Sequence, residues 1–127
     1  MTPRLAIATA ALLMAAAVAL GAFGAHALKA RIAPDMLAVW HTGVMYHAWH
    51  GVALLLLGVL MLHAPDSAPL RYAAWLFIAG VALFAGSLYL LALGAPSSIG
   101  IATPLGGLAF IAGWITLAVG ALRSQIY

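Results

Sequence analysis

Residues 35–62 read DMLAVWHTGVMYHAWHGVALLLLGVLML, and beyond Asp35 the stretch contains no Asp, Glu, Lys or Arg. A helix needs about 20 predominantly apolar residues, each advancing about 1.5 Å, to cross a hydrocarbon layer about 30 Å thick. This stretch is long enough, and Pro34-Asp35 ahead of it makes a good helix start. Working outward, three more stretches qualify. One covers about 5–27, behind Arg4. Another lies over 70–93, and a last one over 103–122 opens on Thr103-Pro104, a hydroxyl cap followed by proline. The connections, about 28–36, 63–69 and 94–102, are short, which makes sequential helices antiparallel neighbours. The expected fold is all-α: an integral membrane four-helix bundle, up-down-up-down, forming a single transmembrane domain over 1–127 with both termini on one side.

Composition excludes most other classes. Of 127 residues, 67% are hydrophobic and 6% charged, with a mean hydropathy of +1.17. A soluble domain carries roughly 25% charged residues, so there is too little polar surface here to face water. The net charge of +3 comes from single, scattered residues (Arg4, Lys29, Arg31, Arg71 and Arg123). No basic patch exists, so nucleic acid is not expected as a partner. These cations read instead as topology signals: Arg4, Arg71 and Arg123 share the side of the termini, against Lys29 and Arg31 opposite. Three against two puts the termini in the cytoplasm and the protein in the cell's inner membrane. Cysteine is absent, which removes disulfides, thiolate metal sites and thiol nucleophiles. Arg4, an Ala-rich core and Ala25-His26-Ala27 also resemble a secretory signal. That core exceeds the roughly 7–15 apolar residues of a signal peptide, and the segment is expected to stay as a spanning helix.

Small residues mark the contact faces. Gly106, Gly113 and Gly120 recur every seven residues and so share one stripe of the fourth helix, drifting about 20° per heptad. Ala82 with Gly86, and Gly21 with Ala25, are small pairs four apart. Such faces let helices approach closely where lipid gives no hydrophobic drive. The glycine stripe is expected to pack inside the bundle, with homo-oligomer formation as its other use.

Polar side chains at membrane depth are expensive and mark sites. On the second helix, Gly43, Tyr46, His47 and His50 fall within about 100° of one another, while His41 points away. His50 lies about 13 Å deeper than His41, close to the midplane. His26 ends the first helix, Ser87 and Tyr89 lie near the end of the third, and Thr103 starts the fourth. All four helices thus bring a polar residue to the half facing loops one and three. The candidate ligand-binding set is His26, Tyr46, His47, His50, Ser87, Tyr89 and Thr103. His47 and His50 at i, i+3, with His26 as a third imidazole, are candidate ligands for zinc or copper. No cofactor is specified. Histidine is the membrane-depth side chain whose ordinary pKa lies nearest neutrality, so a proton-coupled role would rest on it. The bland reading is that these groups bond one another and fix helix register. Enzyme signals are weak: Ser87 beside His50 would be a dyad without an orienting acid, and residues 85–89 lack the nucleophile-elbow pattern. Trp40, Trp49, Trp75 and Trp114 suit interfacial belts or packing, and Met14, Met36, Met45 and Met61 are filler.

Four motifs in order carry a resemblance: Gly21-Ala22-Phe23-Gly24-Ala25-His26; Thr42-Gly43 followed by Tyr46 and His50; Phe84-Ala85-Gly86-Ser87-Leu88-Tyr89-Leu90; and Thr103-Pro104-x-Gly106-Gly107-x-x-Phe110-x-x-Gly113-Trp114. Over essentially the whole chain this resembles the domain-of-unknown-function family four-two-three, YgdD-like small membrane proteins with eukaryotic transmembrane relatives. The resemblance implies a four-span membrane protein and supplies no activity. In that family the His47 position can be glutamine, which shifts interest to His26, Tyr46, His50, Ser87 and Tyr89. Two functions follow as expectations. One is binding or transport of a small molecule, lipid, ion or metal in a cavity touching His26 and His50. The other is a structural or accessory subunit with a dry, fully bonded polar cluster.

Overall fold

A computed structural model describes residues 1–123 and Ile126. Four helical spans are long and apolar enough to cross a membrane: α1 (Pro3–Leu28), α2 (Pro34–His63), α3 (Ala68–Ala92) and α4 (Ser97–Leu122). No strand occurs among the described residues. Three of the spans begin as local chemistry dictates. Thr2 caps α1, its hydroxyl accepting from Leu5 N at 3.3 Å. Pro34 and Pro69 sit in the first turns of α2 and α3, where a missing N–H leaves no hydrogen bond unmade. α3 ends in a Schellman turn: Gly94, at φ 95°, donates to Leu91 O while Ala95 donates to Leu90 O. The positive φ explains why glycine stands there.

The start of α4 corrects the expected hydroxyl cap. A 3-10 turn over Ser97–Ile101 leads the chain in, and the α-helix proper begins at Ala102 without a side-chain cap. The hydroxyl of Thr103 is used elsewhere, as described below.

Glycines set the packing of the spans. Along α2, Gly58 lies on Ile7, Gly51 on Met14 and Gly24 of α1 under Trp40, so the residue numbers of α1 fall as those of α2 rise. The two run antiparallel. α3 and α4 do the same: Gly120 lies on Pro69, Gly113 on Phe77 and Gly106 on Phe84, and in return Gly80 lies under Phe110. A Cβ added at Gly113 would come within 2.6 Å of the Phe77 ring, and one at Gly106 would collide with the backbone of Phe84. The stripe of the fourth helix is therefore consumed within the chain and is not available to a second copy. Of the other small pairs, Ala82 and Ala25 are exposed. Between the helix pairs, a core of Leu54, Leu57, Met61, Leu70, Ala73, Ala74 and Phe77 joins α2 to α3.

Two spans contain π-helical turns, Gly24–Leu28 at the end of α1 and Val81–Ala85 in the middle of α3. Such turns are frequent at functional sites because they locally re-aim side chains. The second one carries Phe84.

Candidate functional site

The polar residues form separate pairs. On α2, Gly43 leaves room for the ring of Tyr89, whose Cε1 would lie 2.9 Å from a Cβ there. Lying across that gap, Tyr89 reaches one turn along α2, and its hydroxyl bonds His47 Nδ1 at 2.9 Å. Trp40 supports the ring from the other side, with centroids 4.7 Å apart, and donates its own Nε1–H to Leu20 O at 2.9 Å. His47 is 3% exposed, and its Nε2 has no hydrogen-bond partner among the described residues.

Ser87 and Thr103 make the second pair. The Ser87 hydroxyl donates to Phe84 O at 2.9 Å, so the 2.6 Å contact between the two hydroxyls has Thr103 donating to Ser87 Oγ. This bond ties α3 to the first turn of α4, next to the Gly106–Phe84 crossing.

His50 is the third arrangement and faces another way. Its Nδ1 lies 2.8 Å from Tyr46 O, so Nδ1 carries the proton and donates to that carbonyl. Nε2 then accepts the Nε1–H of Trp114 at 3.1 Å. Both nitrogens are satisfied and the neutral tautomer is fixed. The imidazole stacks on Phe110, with centroids 3.5 Å apart and planes 11° apart, and meets Phe77 edge-on. His50 is 6% exposed.

A cavity of about 430 Å³ opens beside this histidine, lined by Tyr46, Trp49, His50, Phe84, Gly107, Phe110, Ile111 and Trp114. Three elements build it. α2 supplies Tyr46, Trp49 and His50; the π-helical turn of α3 supplies Phe84; α4 supplies the rest. It sits near the middle of α2 and α4, not at a helix end. Trp49, Ile111 and Trp114 are 55%, 56% and 47% exposed, so the cavity is a groove whose mouth lies on the outer surface of the bundle. Among the described residues, no Asp, Glu, Lys or Arg lines it. The Tyr46 side chain makes ring contacts with Trp49 and Phe84, while no hydrogen bond of its hydroxyl exists among the described residues.

The seven candidate residues are thus distributed unevenly. Tyr46 and His50 line the groove; His47 pairs with Tyr89 and Ser87 with Thr103; His26 is exposed on the π-helical turn of α1. The cavity does not touch His26. No set of three metal-ligating side chains converges among the described residues, and the zinc or copper site imagined from His26, His47 and His50 is not assembled. Ser87 bonds Thr103 and its own helix, while both His50 nitrogens are engaged elsewhere, so the serine–histidine dyad is not formed either. Residue spacing did not select Trp114, Phe110, Phe84 and Gly107 as site residues, although all four stand in the third and fourth motifs that carry the family resemblance.

Four apolar helices with a side-opening aromatic groove define a small α-helical membrane protein. Comparison with known proteins agrees. A family model described as a protein of unknown function (DUF423) matches residues 20–107, and the chain belongs to that family. It is similar to the UPF0382 membrane protein YwdK of Bacillus subtilis (strain 168), 46% identical over 107 residues, 84% of this chain and 87% of that protein. It is likewise similar to the UPF0382 membrane protein SAB0533 of Staphylococcus aureus (strain bovine RF122 / ET3-1), 42% identical over 84% of this chain and 86% of the relative. No solved structure matches. The matched residues include Tyr46, His50, Phe84 and Gly107 of the groove; Phe110 and Trp114 lie beyond them.

Proposed function

We propose that this membrane protein binds an apolar molecule taken sideways from the bilayer into the groove between α2, α3 and α4. The observation that carries the reading is the groove itself. It is an aromatic-lined cavity of about 430 Å³ at mid-span, with a mouth at exposed Trp49, Ile111 and Trp114. Ligand sites commonly measure about 300–1,000 Å³ and combine apolar walls with few polar groups. At the depth of this mouth the surrounding solvent is hydrocarbon, so the molecules at hand are lipid chains and lipid-soluble compounds. Tyr46 and His50 are the residues we assign to the ligand. The pairs His47–Tyr89 and Ser87–Thr103 fix helix register instead, because each engages its partner inside the bundle. In this reading the chain crosses the inner membrane up-down-up-down, with Arg4, Arg71 and Arg123 on the cytoplasmic side. A C-terminal fluorescent-protein fusion tests that orientation: fluorescence is expected, and a dark, correctly inserted fusion overturns it.

Gly107→Leu tests the groove. A Cβ at Gly107 has only ordinary contacts, 3.8 Å from the Phe84 ring, so a leucine fits by filling the cavity. Native mass spectrometry of detergent-purified protein, offered the phospholipids of its host membrane, should show wild type retaining a bound chain that Gly107→Leu has lost at equal thermal stability. Identical spectra for the two proteins overturn the reading. Groove-dependent capture of a second polypeptide in place of a lipid would favour the accessory-subunit alternative, which the polar pairs that tie helices together also suit.

A further inference from the structure

We infer that the groove is built for a flat, conjugated ring carrying a carbonyl oxygen on an apolar tail, the chemistry of an isoprenoid quinone. This rests on the groove reading above and narrows it to one ligand class. Three observations converge.

The first is the orientation of the rings. Tyr46 and His50 lie 9° from parallel, His50 and Phe110 11°, and Tyr46 and Phe110 20°. Three lining rings therefore stand nearly parallel, His50 and Phe110 stacked directly on one another, so a planar ligand would extend this stack from its open end. Trp49, tilted 58° to Tyr46, and Trp114, 60° to His50, stand across them as end walls. Aromatic rings favour offset stacking over parallel faces, so a planar ligand gains an orientation here that a saturated chain does not.

The second is the polar inventory. His50 has spent both nitrogens and Trp114 its N–H, on Tyr46 O and on each other. Among the lining residues, the Tyr46 hydroxyl and the Trp49 indole N–H are the side-chain donors that make no hydrogen bond within the described residues. Two uncharged donors among aromatic walls match a ligand with accepting oxygens on its ring. They do not match a phosphate or a cation, for which no charged residue among those described lines the groove.

The third is depth. The lining residues sit near the middle of Pro34–His63 and Ser97–Leu122. Phospholipid headgroups lie at the edge of the hydrocarbon, about 15 Å from its centre. A phospholipid can offer this groove only a tail, which leaves the Tyr46 hydroxyl unused. An uncharged quinone ring is soluble at that depth and brings its oxygen with it.

Decylubiquinone, a short-tailed benzoquinone, is the probe. It is titrated into purified wild type, Tyr46→Phe and Gly107→Leu in the same detergent, following quenching of tryptophan fluorescence. Tyr46→Phe keeps the ring and loses no hydrogen bond within the protein, so its thermal stability should equal that of wild type. Saturable quenching is expected in wild type. The affinity should fall about five- to tenfold in Tyr46→Phe, as for the loss of one hydrogen bond, and saturation should vanish in Gly107→Leu, which reports mere partitioning into the micelle. Equal affinity in wild type and Tyr46→Phe overturns the inference, as does a wild type that saturates no better than Gly107→Leu. If decylubiquinone fails while a Gly107-sensitive phospholipid is retained in the mass spectra, the quinone inference alone falls. If nothing sensitive to Gly107→Leu is bound, the groove reading falls with it.

Discussion

Helix α4 meets the rest of the chain in two opposite ways on neighbouring faces. One face, Gly106, Gly113 and Gly120, is pressed against α3 so closely that no side chain fits between them. The other, Gly107, Phe110, Ile111 and Trp114, lines the groove and reaches α2 through long side chains, Phe110 and Trp114 both meeting His50. Both faces contain glycine, and the difference lies in what stands opposite. At the seam, glycine meets backbone and ring directly. At the groove, Tyr46, His50 and Phe110 stack with one another and hold α2 and α4 apart. In lipid, where apolar burial drives little helix association, packing decides which face seals. Aromatic rings that pack edge and face leave the space that glycines remove.

The adjacent glycines give the largest expected contrast. Alanine is favoured over glycine in a helix by about 1 kcal/mol at either position, so the difference between Gly106→Ala and Gly107→Ala isolates the contact. At Gly106 the new Cβ meets the Phe84 backbone, which cannot rotate away; at Gly107 it meets a ring edge at 3.8 Å. Overpacking costs about 1–3 kcal/mol. Thermal unfolding in detergent should therefore show Gly106→Ala less stable than Gly107→Ala by about that amount, with Gly107→Ala at or above wild type. Equal stability of the two variants would break the distinction between seam and groove.

How much of this was legible beforehand differs between the same two faces. The seam could be read from the sequence because a seven-residue glycine repeat is a one-dimensional pattern, and the four apolar stretches are patterns of the same kind. His50 stood out because a histidine at mid-span is conspicuous against leucine. Its partner did not. Trp114 is 64 residues away, and a tryptophan in an apolar helix looks the same whether it faces lipid or donates to a buried imidazole. The groove is a property of ring orientations on three helices, which no spacing rule encodes. His26 was included because it ends the first helix, and position along a helix does not give the face; it falls in a π-helical turn and is exposed, away from the groove. Thr103 looked like a helix cap because Thr-Pro is a local signal, whereas its hydroxyl bonds Ser87 on another helix. Apolar stretches and repeats survive folding; cross-helix partners and side-chain angles are set only by it.

The smaller expected effect sharpens the groove side. Trp114→Phe keeps a ring at the mouth but deletes the N–H that His50 Nε2 accepts. The imidazole cannot answer by turning over, because Nδ1–H is held by Tyr46 O at 2.8 Å and Phe110 covers the ring face at 3.5 Å. Its Nε2 is then left as an unpaired acceptor in an apolar wall. Hydrogen bonds between membrane helices are worth on average about 0.6 kcal/mol and up to about 1.7, and a buried acceptor left unpaired lies towards the upper end of that range. The expected loss is about 1 kcal/mol in detergent unfolding. A double-mutant cycle assigns it: in a His50→Phe background, which keeps a ring on Phe110 and has no acceptor, Trp114→Phe should change stability by much less. Equal losses in both backgrounds would mean that the tryptophan acts by filling space alone, and that the fixed tautomer of His50 contributes nothing to holding α2 and α4 at the separation that leaves the groove.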